Sequence, residues 1–286
     1  MIKPRCRVRP GFSLTELLIA LLLTAIVGAS VTGVFVTQTR FFAQQEKEGQ
    51  ARGVSRSAIS VLMSELRMIE HDRGVMAASP STLQLRSPYA MGVVCAPVTS
   101  PPSVVIWVFP ADSFAYAAAE FRGYAYRDPT TGAYRYHNET GQDPAPGGAT
   151  TCTGMRVETT APGQAITFQT HPSILPAAGT PVLLYQEITY TFAPSSLVPG
   201  RRALWRQVGS SQPEEMVAPF DSTARFRYFW GTERGPAQDD PPDPANLSLI
   251  HGVELVLDGL SERPDPDGTH RNVPLRTAVY FKNRRP

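Results

Sequence analysis

No proline occurs between residues 11 and 79, whereas all but two of the chain's 27 prolines lie beyond residue 79. A proline inside a helix removes a backbone hydrogen bond and clashes with the preceding turn, costing about 3 kcal/mol. The first stretch is therefore free to form one long helix, and the remainder cannot hold long helices. The fold class that follows is α+β: a helical N-terminal part of about 60 residues, then a turn-rich part of about 200.

Residues 17–36 (LLIALLLTAIVGASVTGVFV) carry no charge. At 1.5 Å per residue, a helix of that length spans about 30 Å, the thickness of a bilayer's hydrocarbon core. Lys3, Arg5, Arg7 and Arg9 precede it, while Arg40 and Lys47 after it are offset by Glu46 and Glu48. The positive-inside rule then keeps the N-terminus cytoplasmic and exports the large C-terminal part. Three readings compete for this segment: a plain anchor, a secretory signal cut near Val27-Gly28-Ala29, and a signal cut before the apolar run, at Gly11-Phe12-Ser13-Leu14-Thr15-Glu16. Glu16 separates them. An acid at the head of an apolar segment costs a few kcal/mol in lipid, and neither of the first two readings has a use for it.

A glycine, an apolar aromatic and a glutamate five residues into the mature chain, behind a basic leader, resemble the processing site of type IV prepilins. Gly11, Phe12 and Glu16 stand at those positions. The resemblance is specific over about residues 1–40 and implies a mechanism for each residue. A prepilin peptidase would cut between Gly11 and Phe12 and methylate the new amine of Phe12. Glu16 would pair with that amine, in its own or a neighbouring subunit, and the neutralised pair would enter the filament core without its desolvation penalty. The implied partners are other pilins or pseudopilins through the N-terminal helix, the peptidase, the inner-membrane assembly platform, and lipid before assembly.

The helix is expected to continue to residue 69, about 58 residues in all. Ala51, Val54, Ala58, Leu62, Leu66 and Ile69 recur at spacings of three and four, a stripe suited to lying on a sheet. Glu48 and Arg52 form a favourable i,i+4 pair on another face. Gly28 and Gly33 serve either as a bend or as close-packing positions. The organisation expected is a cleaved leader at 1–11, a pilin helix at 12–72 whose membrane half is about 17–36, and an exported β-rich domain at 73–286.

Losing the four leader cations takes 27 basic residues to 23 against 25 acidic ones, a formal net of −2. That balance lacks the broad positive footprint of a general nucleic-acid binder, although Arg201-Arg202 offers a local contact. Of three cysteines, Cys6 lies in the leader, which leaves Cys95 and Cys152 as a candidate pair in an oxidising compartment. Their disulfide would close a loop of about 58 residues, a stabilisation near 4 kcal/mol by chain entropy; two buried thiols are the alternative.

Beyond Gly74, short β-like runs alternate with Pro, Gly and Asp turns at 82–86, 104–109, 122–127, 133–137, 165–170, 182–192, 203–208, 224–230, 252–258 and 275–281. A turn at 128–132 would bring Tyr124, Tyr126, Tyr134 and Tyr136 onto one face of a hairpin, as cross-strand packing or as a binding surface. Runs 182–192 and 203–208 read as a second hairpin around the 194–202 loop. Tyr190, Leu204-Trp205-Arg206 and the closing 275–279 run more loosely resemble PilW-type minor pilins and J-type pseudopilins. The fold this implies is a long helix packed on an antiparallel sheet.

No catalytic or cofactor motif is present: no H-E-x-x-H, G-x-S-x-G, P-loop or G-x-G-x-x-G. The five histidines have no ligand-like spacing with the cysteines, and the acidic loops at 239–243 and 265–267 lack the order of a calcium loop. Expected, therefore, is a non-enzymatic protein without cofactor: a minor pilin or pseudopilin, since 275 residues after the leader is long for a major pilin in the family it resembles. It would sit in the bacterial inner membrane as a single pass, then in a pilus or type II secretion pseudopilus. The reading from another class is a pilus-associated adhesin or a module binding DNA or substrate.

Overall fold

The computed structural model describes residues 13–70, 73–99, 102–138, 145–146, 164–169, 176–231, 235–265 and 268–281. The chain divides into two compact units, Met1–Gly49 and Gln50–Pro286. Helix α1 runs Leu14–Leu66 as one 53-residue element, as the proline-free stretch permits. In the first unit its apolar side chains face outward, among them Leu17, Leu22, Ile26, Val31 and Phe35. The hydroxyls of Thr24, Ser30, Thr32, Thr37 and Thr39 donate to carbonyls four residues earlier at 2.7–2.9 Å. Those polar groups are thereby satisfied inside the helix, as an apolar surrounding requires.

In the second unit the helix buries Ala51, Ser55, Ala58, Leu62 and Leu66, and Ile69 follows just past its end. The expected stripe is this face, with Ser55 the one polar member. Gly259 explains the close packing there. A Cβ at Gly259 would collide with the Ala51 carbonyl oxygen and the Ser55 hydroxyl, so only glycine lets the helix lie this near the strand beneath. Ser55 Oγ donates to Leu257 O at 3.4 Å.

The strands are β1 Val75–Ala78, β2 Thr82–Thr99, β3 Pro102–Val108, β4 Gly123–Arg127, β5 Tyr134–Asn138, β6 Ala145–Pro146 and β7 Gln164–Gln169. The later ones are β8 Pro181–Pro194, β9 Arg202–Val208, β10 Glu214–Phe220, β11 Arg225–Trp230, β12 Ile250–Leu260 and β13 Asn272–Tyr280. A short helix, α2 Ser113–Ala118, lies between β3 and β4. All of these strands join one antiparallel sheet in the order β11-β12-β10-β9-β8-β2-β3-β7-β6, with β13 on β12, β1 on β2, and β4 bridging β8 and β5.

Strand β8 contributes to the two larger clusters of the core. Its even-numbered residues Ile188, Tyr190 and Phe192 pack with Leu62, Leu66, Leu204, Phe226 and Leu255. On the same face, Val182 and Leu184 pack with Val104, Ile106, Tyr124 and Tyr126. Strand β2 supplies Leu83 and Leu85 opposite Tyr190 and Ile188, but Ala90 opposite Leu184. The register slips by one residue between Pro88 and Ala90. That bulge moves the core-facing positions of β2 from odd to even numbers and accommodates a proline that a regular central strand excludes. The expected strand at 82–86 was therefore too short, because Ser87-Pro88 reads locally as a turn.

Each of the ten expected runs overlaps a strand, and the 182–192 and 203–208 hairpin pairs from Ile188↔Val208 to Pro194↔Arg202. Strand β10 escaped the sequence reading: Glu214-Glu215 and Pro219 hide it, and its register on β9 is broken twice. The tyrosine hairpin needs a correction. Strand β4 pairs with β5 as Tyr124↔His137, Ala125↔Tyr136 and Tyr126↔Arg135. Directly opposed residues share a face, so Tyr124 and Tyr126 lie on one side and Tyr134 and Tyr136 on the other. The connection occupies residues 128–133 rather than 128–132, and one extra residue exchanges the faces of the whole strand. His137 takes the place expected for tyrosine, its ring stacked 5.0 Å from Tyr124 and 5.6 Å from Tyr126. Tyr136 instead meets Tyr185 edge-on at 5.4 Å, with the Arg86 guanidinium 4.9 Å above its ring.

Candidate assembly site

Helix α1 opens with a reciprocal cap. Ser13 N donates to Glu16 Oε2 at 3.1 Å, and Glu16 N donates to Ser13 Oγ at 3.2 Å. Ser-Leu-Thr-Glu is a capping box: the serine satisfies one orphan amide of the first turn, and the glutamate reaches back to satisfy another. The acid at the head of the helix also faces the positive end of the helix dipole. The sequence reading missed this role, although the S-x-x-E spacing announces it. Glu16 thus has a use within its own chain, beyond pairing with an amine. Gly11 and Phe12 lie outside the described residues. After the cap, α1 is long and apolar enough to cross a membrane, with a peak mean hydropathy of 2.4 and none of that window buried.

A second feature holds the lower part of the helix to the sheet. The Tyr190 hydroxyl donates to Glu65 Oε2 at 2.6 Å, and Arg206 Nη2 donates to Glu65 Oε1 at 2.9 Å. Both donors project from the core-facing side of β8 and β9, where Tyr190 pairs with Arg206. Burial, and next the Glu65 carboxylate, push the Tyr190 hydroxyl above the ordinary tyrosine value, so it remains a donor. Nothing local marked Glu65 in the sequence; its partners lie 125 and 141 residues away.

Cys95 is buried in β2 beside Val93 and Trp107, and Cys152 lies outside the described residues. The acidic loops serve arginines. Asp239 Oδ1 accepts from Arg225 Nε at 2.8 Å and from Arg227 Nε at 3.0 Å, and the Arg225 bond chiefly holds its carboxyl below the usual range. Asp265 pairs with Arg271 at 2.7 Å. Among the described residues, no three His, Cys, Asp or Glu side chains converge as a metal site.

No curated protein and no solved structure matches the chain. Residues 6–32 match the family described as the prokaryotic N-terminal methylation motif. That match covers Arg7, Arg9, Gly11, Phe12, Glu16 and most of the apolar run, and it supports a type IV prepilin-like N-terminus for this chain.

Proposed function

We propose that the chain is a minor pilin or pseudopilin, a structural subunit that helps start or cap a type IV pilus or a type II secretion pseudopilus. The observation that carries this reading is the methylation-motif match over residues 6–32. The outward-facing apolar helix and the absence of a catalytic motif in the sequence support a structural role over an enzymatic one. In this reading the prepilin peptidase cuts between Gly11 and Phe12, the Phe12 amine is methylated, and the basic leader keeps the N-terminus cytoplasmic. The helix anchors the subunit in the inner membrane, then passes into the filament through the assembly platform. Cys95 and Cys152 form the exported domain's disulfide.

Mass spectrometry of protein extracted from membranes tests the processing step. The expected N-terminus is N-methylated Phe12; an intact Met1, or an N-terminus following Ala29, overturns it. A deletion strain tests the role. Loss of filaments or of secretion supports assembly, whereas normal filaments with lost adhesion or DNA uptake transfers the function to a binding module.

A further inference from the structure

On the sheet face opposite the helix, Thr189 and Thr191 of β8 and their cross-strand partners form a neutral strip. Thr189 pairs with Gln207 and Thr191 with Trp205 on β9, while Gln84 pairs with Thr189 and Thr82 with Thr191 on β2. Opposed residues share a face, so these six side chains lie together across three strands. All six are partly exposed. A groove of about 280 Å³ runs over Thr189, Thr191, Trp205 and Gln207, with Ala193, Pro194 and Pro213 completing its lining.

The groove is built as well as open. The Trp205 indole N–H donates to Pro194 O at 3.2 Å, which fixes the ring and leaves its flat surface as the apolar element. Gln207 Nε2 donates to Ser211 O at 2.9 Å, orienting its amide oxygen as an acceptor. Next along the sheet from Trp205 is Glu215 on β10. Its carboxylate is engaged by Ser196 N at 2.7 Å and Ser196 Oγ at 2.6 Å, and by Ser195 Oγ. No lining residue of the groove carries a formal charge; of the acids nearby, Glu215 is turned into the 194–202 loop, and Glu187, two residues before Thr189, stands opposite Arg86 on β2.

We propose that this groove binds a neutral saccharide. A pyranose ring has one face of C–H groups, which stacks on a fixed aromatic ring, and a rim of hydroxyls that both donate and accept. Two threonine hydroxyls and a glutamine amide beside one tryptophan present that pairing. An anionic or cationic ligand finds no counter-charge among the lining residues, and a purely apolar one leaves the threonines and glutamine desolvated without partners. The site lies in Gln50–Pro286 and is separate from the assembly helix.

The test uses the full chain in a zwitterionic detergent, because glycosidic detergents would compete. Titration with maltotriose, cellotriose and triacetylchitotriose, followed by calorimetry, is expected to give saturable binding of at least one sugar. Trp205→Ala should weaken it at least tenfold and Thr191→Val about three- to tenfold, while Trp230→Ala, outside the groove, leaves it unchanged. Circular dichroism confirms that each variant is folded, and Trp205→Phe, which keeps a ring, should retain part of the affinity. Absence of saturable binding by all three sugars overturns the ligand class. Equal binding by wild type and Trp205→Ala overturns the site.

Discussion

The Tyr190 hydroxyl and the Glu65 carboxylate meet at 2.6 Å, joining the middle of β8 to the last turns of α1. Tyr190 is fully buried, and Glu65 retains only 20% of its side-chain exposure. Removing the hydroxyl by Tyr190→Phe leaves one carboxylate oxygen short of a donor. The expected loss is about 1–2 kcal/mol, as for a hydrogen bond to a charged acceptor at a partly solvated site. Glu65→Ala strands both donors and should cost more. Denaturant unfolding of the two single variants and the double variant measures the coupling, which should be positive rather than additive.

Gly259 sets how near the helix lies to β12. Gly259→Ala forces its new methyl against the Ala51 carbonyl and the Ser55 hydroxyl, and the expected destabilisation is about 1–3 kcal/mol. Gly235→Ala is the matched control, since a Cβ there meets nothing within 4 Å. Equal midpoints for the two variants would show that the helix shifts without penalty.

Glu16 has two roles that a pair of substitutions separates. Glutamine preserves a capping box but carries no charge. If capping alone matters, Glu16→Gln supports normal incorporation into filaments and only Glu16→Ala fails. Pairing with the methylated Phe12 amine, which the prepilin resemblance implies, makes both variants fail. Immunoblots of sheared filaments read the result.

Asp128 and Asp239 make stability fall in acid. The Thr130 N–H, joined by Thr131 and Arg135, holds the Asp128 carboxyl below its usual value of 3.8, and Arg225 with Arg227 does the same at Asp239. A folded pKa below the unfolded one contributes stability that is complete above the ordinary aspartate range and lost as pH falls through the folded value. Melting temperature should therefore decline below about pH 4. Asp128→Asn should lower it at neutral pH while flattening that acid decline.

A Cys95–Cys152 bond should appear as one linked peptide in non-reducing mass spectrometry. Reduction, or Cys152→Ser, should then lower stability by about 4 kcal/mol, within the wide range of such loops. Recovery of both cysteines as free thiols after alkylation without reductant rules the bond out.

The helix and the position of most strands were legible because they depend on local rules, namely proline exclusion and apolar spacing. The face of each strand was not. Tyr134 and Tyr136 point away from Tyr124 and Tyr126 because the connecting loop is one residue longer than its Asp-to-Gly turn implies. Strand β2 was lost beyond Arg86 because a bulge at Pro88 shifts its alternation, and only the partner strand reveals that the shift preserves the face. Glu65 had no local signature, since its partners arrive from β8 and β9. Ser13 and Glu16 are the contrary case: their S-x-x-E spacing alone announces the cap.

The two larger core clusters share a single row of β8 side chains, Val182 and Leu184 at one end and Ile188, Tyr190 and Phe192 at the other. Traction on the helix enters that row through Leu62, Leu66 and the Glu65–Tyr190 contact, then spreads into β2 along the ladder from Thr82↔Thr191 to Val93↔Pro181. One continuous strand thus ties the two clusters together. Under mechanical load the two clusters are expected to rupture in a single step.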